Sequence, residues 1–140
     1  MTTKIRLKIA SIVIIINLII GNAILFFGGK MSFTKNVNYP LMLGLSIACI
    51  LIYFLFFRFL HFEKYGNLKL ILVSILSCIL IIFLGNFIAL LIHEPTDEVL
   101  SNIPATIVMG FMGNILMFPI SVILGALNFA IISSLKPKLD

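Results

Sequence analysis

Apolar residues run almost unbroken through four stretches of this chain, at about 9–29, 40–60, 70–92 and 103–135. Each stretch approaches or exceeds the ~20 residues that a helix needs to cross ~30 Å of hydrocarbon. None alternates with a period of two, so the strands of a membrane barrel are not predicted. Lipid offers a peptide group no hydrogen-bond partner, and a helix satisfies its backbone within one segment. The pattern predicts an all-α integral membrane protein: a four-helix transmembrane bundle forming one domain over residues 1–140.

Breaker residues divide these stretches. Gly28-Gly29 is expected to stop the first helix, and Pro40 suits the first turn of the second. Tyr65-Gly66-Asn67 reads as the turn into the third. Pro95 ends the third helix, Thr96 is expected to cap a short turn led by Asp97 and Glu98, and the fourth helix starts at Asn102 or Ile103. Pro104 then falls in a tolerant first turn. At ~1.5 Å per residue the fourth stretch would be about 50 Å long, well over the bilayer core. Pro119 near its middle removes a backbone hydrogen bond and frees the carbonyl of Ile115. A long, tilted fourth helix kinked at Pro119 is the expectation.

Charge turns this ladder into an orientation. The chain has 140 residues, 61% of them hydrophobic, and a mean hydropathy of +1.24, more apolar surface than a soluble fold of this size can hide. Its ten bases fall three, two, three, none and two along the five polar segments: Lys4, Arg6 and Lys8; Lys30 and Lys35; Arg58, Lys64 and Lys69; none; Lys136 and Lys138. The base-free segment carries Glu94, Asp97 and Glu98, three of the five acids. Placing both termini in the cytoplasm puts eight bases inside and two outside, as the positive-inside rule requires. A bacterial inner (plasma) membrane with N-in/C-in topology is therefore expected. The net charge of +5 has its origin there and calls for no nucleic-acid partner. Tyr53, Phe54, Phe56, Phe57, Phe59, Phe62 and Tyr65 surround Arg58 and read as an interfacial aromatic anchor, with Arg58 snorkelling. The first stretch has a basic start and small residues at Gly21-Asn22-Ala23. Its apolar run continues through Phe27, so an uncleaved signal-anchor is expected.

The spans themselves are chemically quiet. No Asp, Glu, Lys, Arg or His lies in the interior of any of them, whereas proton relays and intramembrane catalysis need ionisable groups at depth. Four-helix multidrug transporters depend on a buried glutamate, and the small membrane enzymes of glutathione chemistry on charges within their helices; this chain has neither. No catalytic residue, cofactor or metal site is predicted. Cys49 and Cys78 form no CxxC pair and are expected to pack as small apolar residues.

What the spans hold is amides and small residues on helical faces. Asn17 and Gly21 share a side of helix one, with Asn22 on its flank, and Gly85 and Asn86 lie together on helix three. Gly110, Gly113, Asn114, Ser121, Gly125 and Asn128 form the longest stripe, on helix four. On helix two, Ser46, Cys49 and Tyr53 fall on one side and Gly44 and Ala48 on the other. Small residues let membrane helices approach, and amides hydrogen-bond across the seam. These positions are the expected packing or partner face. The acidic outer loop, Glu94, Asp97 and Glu98, is the expected contact for a basic partner surface.

The expectation for function is a non-enzymatic protein acting by lateral helix–helix contact, with another membrane protein or with itself, inside the lipid bilayer. In plan the chain resembles the immunity proteins against pore-forming bacteriocins, which are small, basic and helical, with short loops and both termini inside. That resemblance rests on architecture and on no motif. It implies contact with inserted toxin helices. The alternatives are a small channel or transporter, or a subunit of one, with Asn17, Asn86, Asn114 and Asn128 lining a neutral pathway, and a holin-like oligomer.

Overall fold

The computed structural model describes residues 3–31, 35–95 and 97–136, nearly all of them helical. Four helices, α1 (Thr3–Met31), α2 (Tyr39–Phe59), α3 (Asn67–His93) and α4 (Val99–Leu135), are joined by short connections. The second connection holds a single 3₁₀ turn, Phe62–Lys64. All four helices are long and apolar enough to cross a membrane, which is compatible with an integral membrane protein.

Local chemistry sets several of the boundaries. The Asn38 side chain accepts the Leu41 N–H at 3.0 Å, and Pro40 occupies the first turn of α2, where its missing N–H costs nothing. α3 closes with the Glu94 N–H on the Leu90 carbonyl at 2.9 Å, and Pro95 blocks continuation.

Two boundaries differ from expectation. α1 runs through Gly28-Gly29 to Met31, and neither glycine takes the left-handed conformation that a glycine stop requires. Gly29 answers a steric need instead. A Cβ there would lie 2.9 Å from the Asn36 carbonyl oxygen and 3.0 Å from Val37 Cα, where the chain turns back towards α2. α4 begins at Val99, ahead of Asn102, because the Glu98 N–H bonds the Pro95 carbonyl at 3.0 Å and the Asn102 N–H bonds Glu98 at 3.1 Å. Nothing in Val99-Leu100-Ser101 opposes helix. Pro104 therefore lies inside the helix and not in its first turn. α4 is one element of 37 residues, uninterrupted at Pro104 and Pro119, and about 55 Å long. Thr96, the expected cap, and Lys138 lie outside the described residues.

Each helix packs on its neighbours in the chain, and α4 closes the ring back onto α1. The α2–α3 and α3–α4 seams are extensive; α1 is held less, and least by α4. Glycines make the tight seams possible. A Cβ on Gly44 would collide with the Gly85 carbonyl oxygen and stand 2.7 Å from Ala89 N. One on Gly125 would stand 2.7 Å from Ile75 Cα. Real carbon atoms do not approach so closely, so these backbones touch only because no side chain intervenes.

Four of the seven aromatic residues around Arg58 form a buried core. Tyr53, Phe56, Phe57 and Phe62 are all buried, and Phe57 sits 5.0 Å from both Phe56 and Phe62, centroid to centroid. The 3₁₀ turn folds Phe62 back against α2, onto the rings of Phe56 and Phe57. Phe54, Phe59 and Arg58 remain exposed. Beside this cluster, Arg6 Nη2 donates to the Leu60 carbonyl at 2.5 Å and stands 3.6 Å from Glu63. Lys136 Nζ donates to the Tyr65 carbonyl at 3.1 Å. The start of α1, the α2–α3 connection and the end of α4 thus gather at one end of the bundle, here called the basic end.

Candidate functional site

One polar network joins all four helices. Asn17 of α1 donates through Nδ2 to Asn128 Oδ1 of α4 at 2.7 Å, and Asn128 Nδ2 returns a bond to Asn17 Oδ1 at 3.3 Å. Asn128 Nδ2 also donates to the Tyr53 hydroxyl of α2 at 2.5 Å and contacts Cys78 Sγ of α3 at 3.7 Å. Tyr53 Oη and Cys78 Sγ are themselves 3.7 Å apart. Asn128 is fully buried and Asn17 nearly so. Asn17 Nδ2 also donates to the Val13 carbonyl of its own helix at 2.7 Å, and the remaining bonds of the network run between helices and specify which faces meet. A second cross-helix pair stands nearer the opposite end, where Asn22 Nδ2 of α1 donates to Ser46 Oγ of α2 at 3.1 Å.

On the side of the network away from the basic end lies a cavity of about 170 Å³, bounded by all four helices. Asn17, Cys78 and Ser121 mark its deep end, and Gly21, Asn86 and Gly113 lie further out. Ser121 is 1% exposed and its hydroxyl has no hydrogen-bond partner. A Cβ on Gly21 would meet nothing within 4 Å. Asn22, Ser46 and Cys49 also line it, the rest of the wall is apolar, and every polar group on it is neutral.

The remaining expected positions divide by what they touch. Gly85 packs on Leu45, Gly110 on Phe83 and Gly125 on Ile75, all inside the bundle. Gly113 has ordinary space, 3.7 Å from Ile82 and 3.8 Å from Asn86. Asn86 and Asn114 do not bridge helices: each returns its Nδ2 to its own helix, at Ile82 and Gly110. The Asn114 carbonyl oxygen is buried without a partner. Pro119 is exposed on α4. Asp97 and Glu98 are exposed, Glu94 is half-buried, and none of the three carboxylates forms a hydrogen bond or ion pair among the described residues. They lie at the end of the bundle opposite the basic end, away from the amide network. No group of three His, Cys, Asp or Glu side chains is brought together among the described residues.

Tyr53, Cys78, Asn22 and Ser46 also belong to the polar interior, beyond the face expected from the sequence. The signal for Tyr53 was present: a tyrosine mid-span needs a partner for its hydroxyl, and Ser46, Cys49 and Tyr53 share one side of α2.

No family model, curated protein or solved structure matches this chain. Fold and site define a class by themselves: a small four-helix protein of membrane-spanning dimensions, locked by neutral side chains around an incompletely filled interior.

Proposed function

We propose that the chain is a non-enzymatic polytopic protein of the bacterial inner membrane, N-in/C-in, that acts by lateral helix–helix contact with another membrane protein. Immunity to a pore-forming bacteriocin is the case we favour. The observation that carries this reading is the unfilled side of α1. Gly21 faces open space beside a cavity bounded on the far side by Gly113, and α1 and α4 are the neighbours in least contact. Most of the small and amide residues on the expected face are engaged inside the bundle. The α1–α4 seam is where an inserted helix finds glycine surface still uncovered. In this reading α4 kinks at Pro119, which helps keep the seam apart.

Co-expression with a panel of pore-forming toxins tests the proposal: survival with at least one toxin supports it, and uniform killing overturns it. Gly21→Leu is expected to abolish protection while leaving the bundle folded, because a Cβ at this position meets nothing within 4 Å. Protection by Gly21→Leu equal to that of the parent chain would remove the seam from the account. For orientation, a cysteine at Asp97 should react with a membrane-impermeant maleimide in intact cells, and one at Asn67 only after permeabilisation.

The second reading is a channel or transporter, favoured by the amides of Asn17 and Asn86 on the cavity wall. The Asn17–Asn128–Tyr53 network closes the basic side of that cavity, so a pathway requires this network to open. Loss of membrane potential on overexpression, without a toxin present, would favour this reading or the holin-like one.

A further inference from the structure

A second cleft lies at the basic end, between the first turns of α1 and the last turns of α2, with a volume of about 180 Å³. Arg6 and Arg58 line it from the two helices, and Leu7, Ala10, Ile14 and Phe54 line its apolar part. From Arg6 to Ile14 is about 12 Å along α1, running from the basic end towards the bundle middle. The cleft thus grades from two guanidinium groups to hydrocarbon along the direction in which a lipid lies. Its charge is incompletely answered from within. Arg6 uses one terminal nitrogen on Leu60 and Glu63 and stacks 5.4 Å from the Phe62 ring, but its Nε is buried with no partner. Arg58 is exposed and forms no ion pair among the described residues. Glu63 does not line the cleft. Lys4 and Lys8 flank it on α1, both exposed.

We propose that this cleft binds one anionic glycerophospholipid, its phosphate between Arg6 and Arg58 and one acyl chain along Leu7, Ala10, Ile14 and Phe54. Guanidinium groups hold phosphate oxygens through directed, charge-assisted hydrogen bonds, and basic pockets between membrane helices are suited to anionic headgroups. Nucleic acid is disfavoured because more than half of the lining is aliphatic or aromatic. The proposal is independent of the contact function above.

The test is native mass spectrometry of the full chain released from micelles doped equally with phosphatidylglycerol and phosphatidylcholine. The parent chain should retain a single phosphatidylglycerol in clear preference to phosphatidylcholine. Arg58→Gln should lower that retention about fivefold, while Lys64→Gln, the same charge change at the same end but outside the cleft, should leave it unchanged. Leu7→Asn, at an exposed wall position, should also weaken retention. Inorganic phosphate at millimolar concentration should not displace the lipid. Equal retention of the two lipids, equal loss in Arg58→Gln and Lys64→Gln, or displacement by phosphate alone would each overturn the proposal. Circular dichroism of every variant separates lost binding from lost fold.

Discussion

Asn128→Leu is expected to destabilise the folded bundle by about 2–4 kcal/mol, the largest effect of any single polar replacement in the spans. Asn128 is the hub of the network, bonded to Asn17 and Tyr53 and touching Cys78. Removing it deletes cross-helix bonds of ~0.6–1.7 kcal/mol each in membrane proteins. It also leaves the Tyr53 hydroxyl and the Asn17 amide in hydrocarbon with fewer partners, and an orphaned buried group costs ~1–3 kcal/mol. Reversible unfolding in mixed micelles or by steric trapping in bicelles measures the loss. Asn114→Leu is the matched control. Its Nδ2 reaches only its own helix and its carbonyl oxygen is already unpartnered, so the change should be neutral or slightly stabilising. Equal losses for the two variants would show that the network contributes nothing particular.

Gly44→Val is expected to rank next, at about 1–3 kcal/mol or more, through overpacking. The clash is with backbone: the added carbon meets the Gly85 carbonyl and stands 2.7 Å from Ala89 N and 3.1 Å from its Cα. Backbone cannot swing aside as a side chain can, so α2 and α3 must separate along one of the two extensive seams. Gly21→Ala, with nothing within 4 Å, is the control that should fold as the parent does. The same unfolding measurement applies. A small loss at Gly44 would mean that the α2–α3 seam is looser than described.

Element number, type and approximate extent were legible because hydrocarbon thickness and the backbone's need for partners leave a 140-residue apolar chain few options. The boundaries were less so. Gly28-Gly29 looked like a stop because glycine often is one, but the α1–α2 connection crosses close to Gly29 and requires its missing side chain. Pro104 looked like a first-turn residue because the apolar pattern starts near it; helix formation depends on backbone and not on hydropathy, and it began at Val99.

The site was half legible. Asn17 and Asn128 were identifiable as polar positions on helical faces, yet nothing in their spacing says that residues 111 apart in the chain would pair. That pairing depends on the ring order of the helices. Tyr53 reads as part of an interfacial anchor from its aromatic neighbours in sequence, yet it is fully buried, packed on Phe56 and Phe57. Asn86 and Asn114 carry the same sequence signal as Asn17, and all three bond a carbonyl of their own helix, but only Asn17 also reaches across to another helix. An amide on a helical face marks a candidate; only packing chooses among candidates.

Asn17, Tyr53 and Asn128 bind the helices to one another across the bundle. A double-mutant cycle on Asn17→Leu and Asn128→Leu, read by steric-trap unfolding in bicelles, tests this most directly. A favourable coupling of about 0.6–2 kcal/mol is expected between the two sites. Strict additivity, with no coupling beyond error, would contradict it.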